Sequence, residues 1–397
     1  MHPIPLTDDV YFLGMNDRRT ALFENLWPLP YGVSYNAALI VDHKVCLIDT
    51  VERAFGGELL NRLLALLGDR PVDYLVVNHV EPDHSGSIRS LLDRYPGLTL
   101  VGNKKTFPMI ENFYGSLPNT RIISDGDTLE LGRHRLVFQT IPMVHWPESM
   151  VSYEVTEQIL FSNDAFGSFG ALDGGVFDDE VDPAFWEGET LRYYANIVGK
   201  YGPHTQRALA KLNGLPLRMI VPSHGRIWRS RIPHILERYQ KWSRYETDPG
   251  VVIVFGTMYG HTEEIADAIA RQLAVRGIQN IRIHDASKSH LSYILADLFR
   301  FRGLIIGSCA YNNELFPTIE AVVREIEHKG IRDHLLGLFG SYSWNGGGVK
   351  NLEKFSTAIG WEQVHPPVEA KGALSKESHR DAVALANAMA DRLLYNE

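Results

Sequence analysis

From Val251 onward the chain alternates strand-like and helix-like segments with a regularity that few folds can accommodate. VVIVF (251–255), IRIHD (281–285), GLIIGS (303–308) and LLGLFGS (335–341) are separated by helical stretches over 262–275, 291–300, 318–328 and 349–359, with a last helix from about 377. Parallel strands need long crossovers between them. This alternation therefore predicts an open, doubly wound parallel sheet with helices on both faces. Ile265, Ile269 and Leu273 recur four apart, a single apolar stripe to lay on that sheet.

Upstream of the polar stretch SRYETDPG (243–250) the pattern changes. NAALIV, VCLID, DYLVVN, LTLVG, HRLVFQTIP, MVSYEV, QILFSND and RMIVPSH read as strands. GELLNRLLALL, SIRSLLDRY, FWEGETLRYYANIVGKY and HTQRALAKL between them read as helices. Two sheets sandwiched between helices, an α+β layer arrangement, is the expectation. At 397 residues the chain exceeds one ordinary hydrophobic core. Two domains are expected, 1–248 and 249–397, with Pro249-Gly250 closing the linker.

Composition narrows the chemistry. A formal charge of -9 without a Lys/Arg-rich run argues against nucleic acid, and no apolar run approaches the roughly 20 residues of a membrane helix. The start, MHPIPLTDDVYFLGMNDRR, lacks a basic segment followed by an apolar one, so no secretory signal is expected. Cys46 and Cys309, each in an apolar segment, read as buried free thiols of a cytoplasmic protein. Two cysteines cannot build a thiolate metal site alone, so any metal must sit on His, Asp and Glu.

NHVEPDHSG (78–86) places His79, Glu81, Asp83 and His84 in one loop directly after the apolar YLVV. His145 in PMVHWPESM, Asp164 in FSNDAFG and His224 in VPSHGRIW likewise follow strand-like segments. Taken singly, each reads as a core histidine or a helix cap; the H-x-E-x-D-H cluster does not. His79, Glu81, Asp83, His145, Asp164 and His224 are too many ligands for one ion that must also bind substrate. Two ions with Asp164 bridging would use them, and an oxygen/imidazole set suits iron or manganese while also permitting zinc.

In the C-terminal half, three loops stand at the carboxyl ends of strands, where doubly wound sheets bind ligands. The first is Thr257, Met258, Tyr259, Gly260, His261 and Thr262, hydroxyl-rich and opening a helix whose free N–H groups suit a phosphate. The second contains Ser308, Ala310, Tyr311, Asn312 and Asn313; the third contains Ser341, Tyr342, Ser343, Trp344, Asn345 and Gly346. Aromatics at two loop tips can enclose a flat ring. G-x-G-x-x-G and Walker-A spacings are both missing after the first strand, which disfavours a dinucleotide or an ATPase site.

Residues 250 to about 395 resemble the flavodoxin-like family. The resemblance implies FMN, with Thr257, Tyr259, Gly260, His261 and Thr262 around its phosphate and Tyr311, Asn312 and Trp344 beside its ring. The N-terminal motif resembles that of the metallo-β-lactamase-like superfamily, H-x-H-x-D-H, with Glu81 in place of the middle histidine. A hard anionic oxygen there moves the preference from zinc toward iron. Over essentially the whole chain, the combination resembles the flavodiiron proteins (A-type flavoproteins); HWPESM, SNDAFG, YYANIVG and SHGRIWR agree. No further module follows, as in the minimal class of that family.

That resemblance implies an αββα metallo-β-lactamase-like sandwich followed by a flavodoxin-like domain. His79, Glu81 and His145 would bind one iron, Asp83 and His224 the other, with Asp164 between them. His84 would stay out of coordination or donate a proton. Trp146 and Tyr193 would border the pocket, Tyr193 joining His84 as a candidate catalytic residue. The implied activity is reduction of dioxygen to water, of nitric oxide to nitrous oxide, or both. Electrons would come through FMN from a donor such as rubredoxin or a rubredoxin/flavin reductase, in a head-to-tail homodimer or a dimer of dimers. Two rival readings are a zinc hydrolase fused to a flavodoxin-like domain and a non-catalytic flavin electron carrier.

Overall fold

The structure, a computed structural model, describes residues 3–395. The chain divides into two compact units, Met1–Ser243 and Arg244–Glu397.

In the first unit a seven-stranded sheet runs in the order Ile4–Pro5, Val10–Phe12, Ala38–Val41, Val45–Ile48, Tyr74–Val76, Thr99–Asn103, Thr120–Ile123. Its first four strands pair antiparallel and the remainder parallel. A five-stranded sheet, Thr128–Glu130, Arg135–Thr140, Met150–Glu154, Ile159–Asn163, Met219–Pro222, faces it. The core lies between the sheets: Phe12, Ile40, Ile48, Val76 and Val101 from one meet Phe138, Met150, Phe161 and Val221 from the other. Each such side chain contributes roughly 1.5–3 kcal/mol by leaving water. Helices Gly56–Leu67, Ile88–Arg94, Thr106–Tyr114, Pro183–Tyr193, Gly202–Leu212 and Ile232–Ser243 complete an αββα sandwich of the metallo-β-lactamase type.

Strand ends carry the chemistry. Ile159–Asn163 and Met219–Pro222 are parallel neighbours, so Asp164 and His224 emerge at the same edge. Tyr74–Val76 delivers the H-x-E-x-D-H loop, of which Pro82–Ser85 is one helical turn rather than open loop. The continuous helix expected over 185–201 is a regular α-helix only to Tyr193; Tyr194–Val198 is a π-turn and Gly199–Tyr201 a 3-10 turn. Such widened turns commonly reposition a side chain at a functional site, and here the break follows Tyr193 directly.

In the second unit the parallel order is Ile281–Asp285, Asp248–Gly256, Phe301–Cys309, Leu335–Tyr342, with Glu362–Gln363 and Val368–Lys371 along the last strand's outer edge. It is a flavodoxin-like sheet. The strand VEAK was not foreseen from sequence, because its charged outward residues mask the alternation that buries Val368 and Ala370. Pro249-Gly250 does not lie in a free linker. It forms an irregularity inside the first strand, where a side chain at 250 would meet the Phe301 ring at 2.4 Å. Ile265, Ile269 and Leu273 of helix His261–Val275 are fully buried. Cys46 and Cys309 are buried free thiols. Among the described residues no helix is long and apolar enough to cross a membrane.

Candidate active site

The three strand-end loops of the first unit converge on two adjoining ligand sets. In the first, His79 Nε2 lies 3.2 Å from Glu81 Oε2 and 3.2 Å from Asp164 Oδ2. His145 Nε2 approaches the same two oxygens at 3.1 and 3.2 Å. In the second, His224 Nε2 lies 3.2 Å from Asp83 Oδ2 and 3.5 Å from Asp164 Oδ1, and His84 Nε2 lies 3.4 Å from Asp83 Oδ1 and 3.0 Å from Asp164 Oδ1. Asp164 therefore gives one oxygen to each set.

These atoms crowd together without satisfying one another. Both carboxylate oxygens of Asp83 and Asp164, both ring nitrogens of His84, and His224 Nε2 are buried without a hydrogen bond. Each such orphan costs roughly 1–3 kcal/mol. The carboxylate oxygens and the Nε2 atoms among them are accounted for when they are aimed at cations rather than at neighbours. Electrostatics agree. Burial opposes charge on His145 and His224, yet the carboxylates beside them, Asp164 with Glu81 and Asp83, push His145 up to about 9 and His224 up to about 10. Burial likewise opposes the Glu81 carboxylate, but hydrogen bonds from His145 and His79 hold it well below the usual range. The cluster is a negative potential well, and the donor set fits two hard or borderline divalent cations.

Outer contacts fix which ring nitrogen faces inward. His79 Nδ1 meets Glu148 Oε1 at 2.7 Å and His224 Nδ1 meets the Ser34 carbonyl at 2.7 Å, leaving both Nε2 atoms for the site. Asp49 accepts from the backbone and side-chain nitrogens of Asn78 at 2.7 and 2.9 Å, anchoring the loop one residue before His79. The wall is aromatic. Trp146 meets His79 edge to face at 5.1 Å, Phe23 meets His224 at 5.1 Å, and the Tyr193 ring lies 5.5 Å from His224. The Tyr193 hydroxyl is buried, and burial together with Asp164 and Asp83 keeps it firmly protonated. A mouth lined by Leu22, Phe23, Glu24, Tyr35 and Glu52 leads to Glu81 and Asp83.

In the second unit a cavity of about 300 Å³ opens at the strand ends, lined by Thr257, Met258, Tyr259, His261, Cys309, Ala310, Ser341, Tyr342, Ser343, Trp344 and Gly372. Gly260 adopts φ 94° before the helix, a left-handed conformation that only glycine takes readily, and its N–H donates to Thr257 Oγ1 at 3.0 Å. Thr262 is buried and hydrogen-bonds Ser341 Oγ at 2.9 Å, tying the first loop to the third. His261 Nδ1 is buried without a hydrogen bond. The His261 imidazole, which also faces Glu264 at 3.8 Å, the hydroxyls and the helix N-terminus form an anion cradle, and Trp344, 84% exposed, stands at its rim where it can cover a flat ring.

Comparison with known proteins agrees with both sites. Residues 33–225 match a family model described as the ODP family beta lactamase, and residues 253–385 match the flavodoxin model. An anaerobic nitric oxide reductase flavorubredoxin from Aliivibrio fischeri is 33% identical over 368 residues, spanning 90% of this chain and 73% of its own. The chain belongs to the flavodiiron protein family. A nitric oxide reductase of Moorella thermoacetica is 32% identical over 371 residues, 92% of each chain. The solved rubredoxin oxygen:oxidoreductase of Desulfovibrio gigas superposes with a TM-score of 0.95 at 28% identity, covering 99% of this chain and 98% of that one. This flavodiiron protein is an oxidoreductase, and its family's FMN and two-iron centre match the two sites in chemistry.

For the flavodiiron site, the structure gathers His79, Glu81, His145 and Asp164 in one group and Asp83, His84 and His224 in the other. His84, expected from sequence either to stay out of coordination or to donate a proton, turns Nε2 toward Asp164 and Asp83 because the helical turn Pro82–Ser85 carries it inward. In the flavin loops several expected residues lie outside the cavity wall. The Ser308 hydroxyl is spent on the Cys309 carbonyl and the Phe316 N–H; Tyr311 turns against Phe316 at 6.0 Å; Asn313 instead receives Asn345 Nδ2 at 3.0 Å. Gly260, Thr262, Asn312 and Gly346 shape the loops without lining the cavity. Glu148, Ser34, Asp49 and Phe23 escaped the sequence reading. Glu148 lies three residues after His145 in HWPESM, but nothing in that spacing marks it as the partner of His79.

Proposed function

We propose that this protein reduces dioxygen to water, nitric oxide to nitrous oxide, or both, using electrons delivered through FMN. The observation that carries this reading is Asp164, whose two oxygens face two separate imidazole/carboxylate sets at 3.0–3.5 Å. Dioxygen needs four electrons and four protons to give two waters; two nitric oxides need two of each to give nitrous oxide and one water. Metal ions held by His79, Glu81, His145, Asp83, His224 and Asp164 would supply the redox chemistry when bound, and FMN in the second unit would supply one- or two-electron transfer.

The chain's own residues do the rest. His79, Glu81 and His145 hold the first ion, Asp83, His224 and His84 the second, and Asp164 joins them. Glu148 and the Ser34 carbonyl keep the rings in register. Trp146, Phe23 and Tyr193 exclude bulk water, and Tyr193 presents a protonated hydroxyl at the buried end of the site. Thr257, Tyr259 and His261 hold the FMN phosphate, and Trp344 covers its ring. The donor is a rubredoxin-type protein or a rubredoxin/flavin reductase. The protein works in the cytoplasm as a head-to-tail homodimer, alone or paired into a tetramer.

Anaerobic reconstitution with iron and FMN, followed by parallel oxygen and nitric oxide consumption from one reduced donor, tests this reading. Turnover of at least one gas that requires both cofactors is expected. Hydrolytic activity with zinc and no consumption of either gas would overturn it.

A further inference from the structure

Outside the metal ligand sets, the first unit holds a cleft between the start of helix Pro183–Tyr193, helix Ile232–Ser243 and the segment following His224. Its cavity is about 30 Å³, room for an ion or a molecule of a few atoms rather than a large ligand. Trp186, Trp228 and Trp242 form its walls. Deep inside lies Arg226, 5% exposed, with its guanidinium 4.1 Å above the Trp186 ring.

Arg226 is not neutralised by the fold. Among the described residues its only hydrogen bond runs from Nη1 to the Gly175 carbonyl, and Nε is buried without any. A guanidinium has five donors. The nearby carboxylates are already engaged. Asp178 accepts from the backbone N–H groups of Arg229, Ser230 and Arg231. Glu180 accepts from Val176 and Phe177, Asp173 pairs with Arg18, and Glu187 pairs with Arg238 at 2.7 Å. Arg231, also on the cleft, has no carboxylate partner among the described residues, and Arg238 Nε is buried and unbonded. Burial and the Arg231 charge hold His234, on the same wall, below the ordinary imidazole value. Asp178 and Glu187 share the cleft wall with Arg226, Arg231 and Arg238, leaving an excess of positive charge around one buried guanidinium whose Nε has no hydrogen bond.

We propose that this cleft is a binding site for a small free carboxylate, of the size of formate or acetate, clamped by Arg226 and steered by Arg231. A planar two-oxygen anion matches the guanidinium fork, and the indole walls take a hydrogen or methyl substituent. The site is separate from the metal ligands, yet Arg226 stands two residues from His224, and Trp228 Nε1 donates to the Phe166 carbonyl two residues beyond Asp164.

The test is calorimetric titration of acetate and of formate into the iron- and FMN-loaded protein, against chloride at equal ionic strength. Saturable binding of one carboxylate per chain is expected. It should weaken more than tenfold in Arg226→Gln and several-fold in Arg231→Gln. Heats no different from chloride would overturn the proposal, as would parent-like affinity in both variants. Should Arg226→Gln fail to fold, Arg231→Gln decides alone: unchanged acetate affinity there refutes the site.

Discussion

Glu148 and His79 meet at 2.7 Å with both side chains shut off from solvent. The carboxylate also accepts the Val80 N–H at 3.0 Å, so one buried group sets the tautomer of the histidine and the path of the loop carrying it. Outer partners of this kind typically govern ligand basicity and orientation. Glu148→Gln is expected to lower iron affinity by about 10–100-fold while leaving FMN content unchanged. Competition with a chelator of known affinity, monitored beside flavin absorbance, measures both.

Glu81 shares its Oε2 between His79 and His145 at 3.2 and 3.1 Å. Glu81→His restores the hydrolase-type H-x-H-x-D-H pattern and removes one anionic oxygen. Reconstituted from equal iron and zinc under anaerobic conditions, this variant should take up more zinc relative to iron than the parent does. Elemental analysis reads the ratio, and an unchanged ratio would show that the ligand type at 81 does not set the metal.

Asp164 turns one carboxylate oxygen to each ligand set. Asp164→Ala is therefore expected to abolish gas reduction by at least about a hundredfold while the flavin domain, a separate compact unit, still binds FMN. Normal turnover in this variant would refute a shared two-ion centre.

Trp344 exposes 84% of its surface at the rim of the flavin cavity. An indole left so exposed gains by covering a flat ligand. Trp344→Ala should weaken FMN binding on the order of tenfold or more, judging from ring stacking on aromatics elsewhere. Flavin fluorescence titration decides it.

In the first unit, outside the metal ligand sets, fully buried His134 lies 3.0 Å from Glu154. The Glu154 carboxylate beside it raises the histidine above its ordinary 6.5, while burial opposes ionisation of Glu154 but the adjacent His134 lowers it below 4.5. The histidine's contribution is complete below 6.5 and fades as pH rises through its raised folded value. The glutamate's is complete above 4.5 and fades as pH falls through its lowered one. His134→Gln should thus cost about 1 kcal/mol, a few degrees of Tm, mainly between those limits, with the difference shrinking at alkaline pH. Thermal melts across pH measure it; a difference that grows with pH would refute the pairing.

Much of the second unit was legible because its signals are local. Strand runs bounded by helices, and a stripe at Ile265, Ile269 and Leu273, declare themselves within a few residues. VEAK at 368–371 did not, since edge pairing with Leu335–Tyr342 is a contact across more than twenty residues. In the metal half, H-x-E-x-D-H announced itself by crowding four ionisable groups into six positions. Glu148 and the Ser34 carbonyl did not, because a buried carboxylate or a backbone oxygen has no distinctive spacing until the fold brings it to a histidine.

By itself, the sequence determined the two-domain order, the ligand types and the replacement of histidine by Glu81, all properties of residue identity and short-range pattern. Tertiary structure alone decided where the atoms of those expected ligands meet. Asp164 and His224 share an edge because their strands are parallel neighbours, so Asp164 turns one oxygen to each set. It also decided that His84 faces inward, since a single helical turn after Glu81 rotates its ring toward Asp164. Ligation depends on where lone pairs point, and that direction is set by strands far apart in the chain.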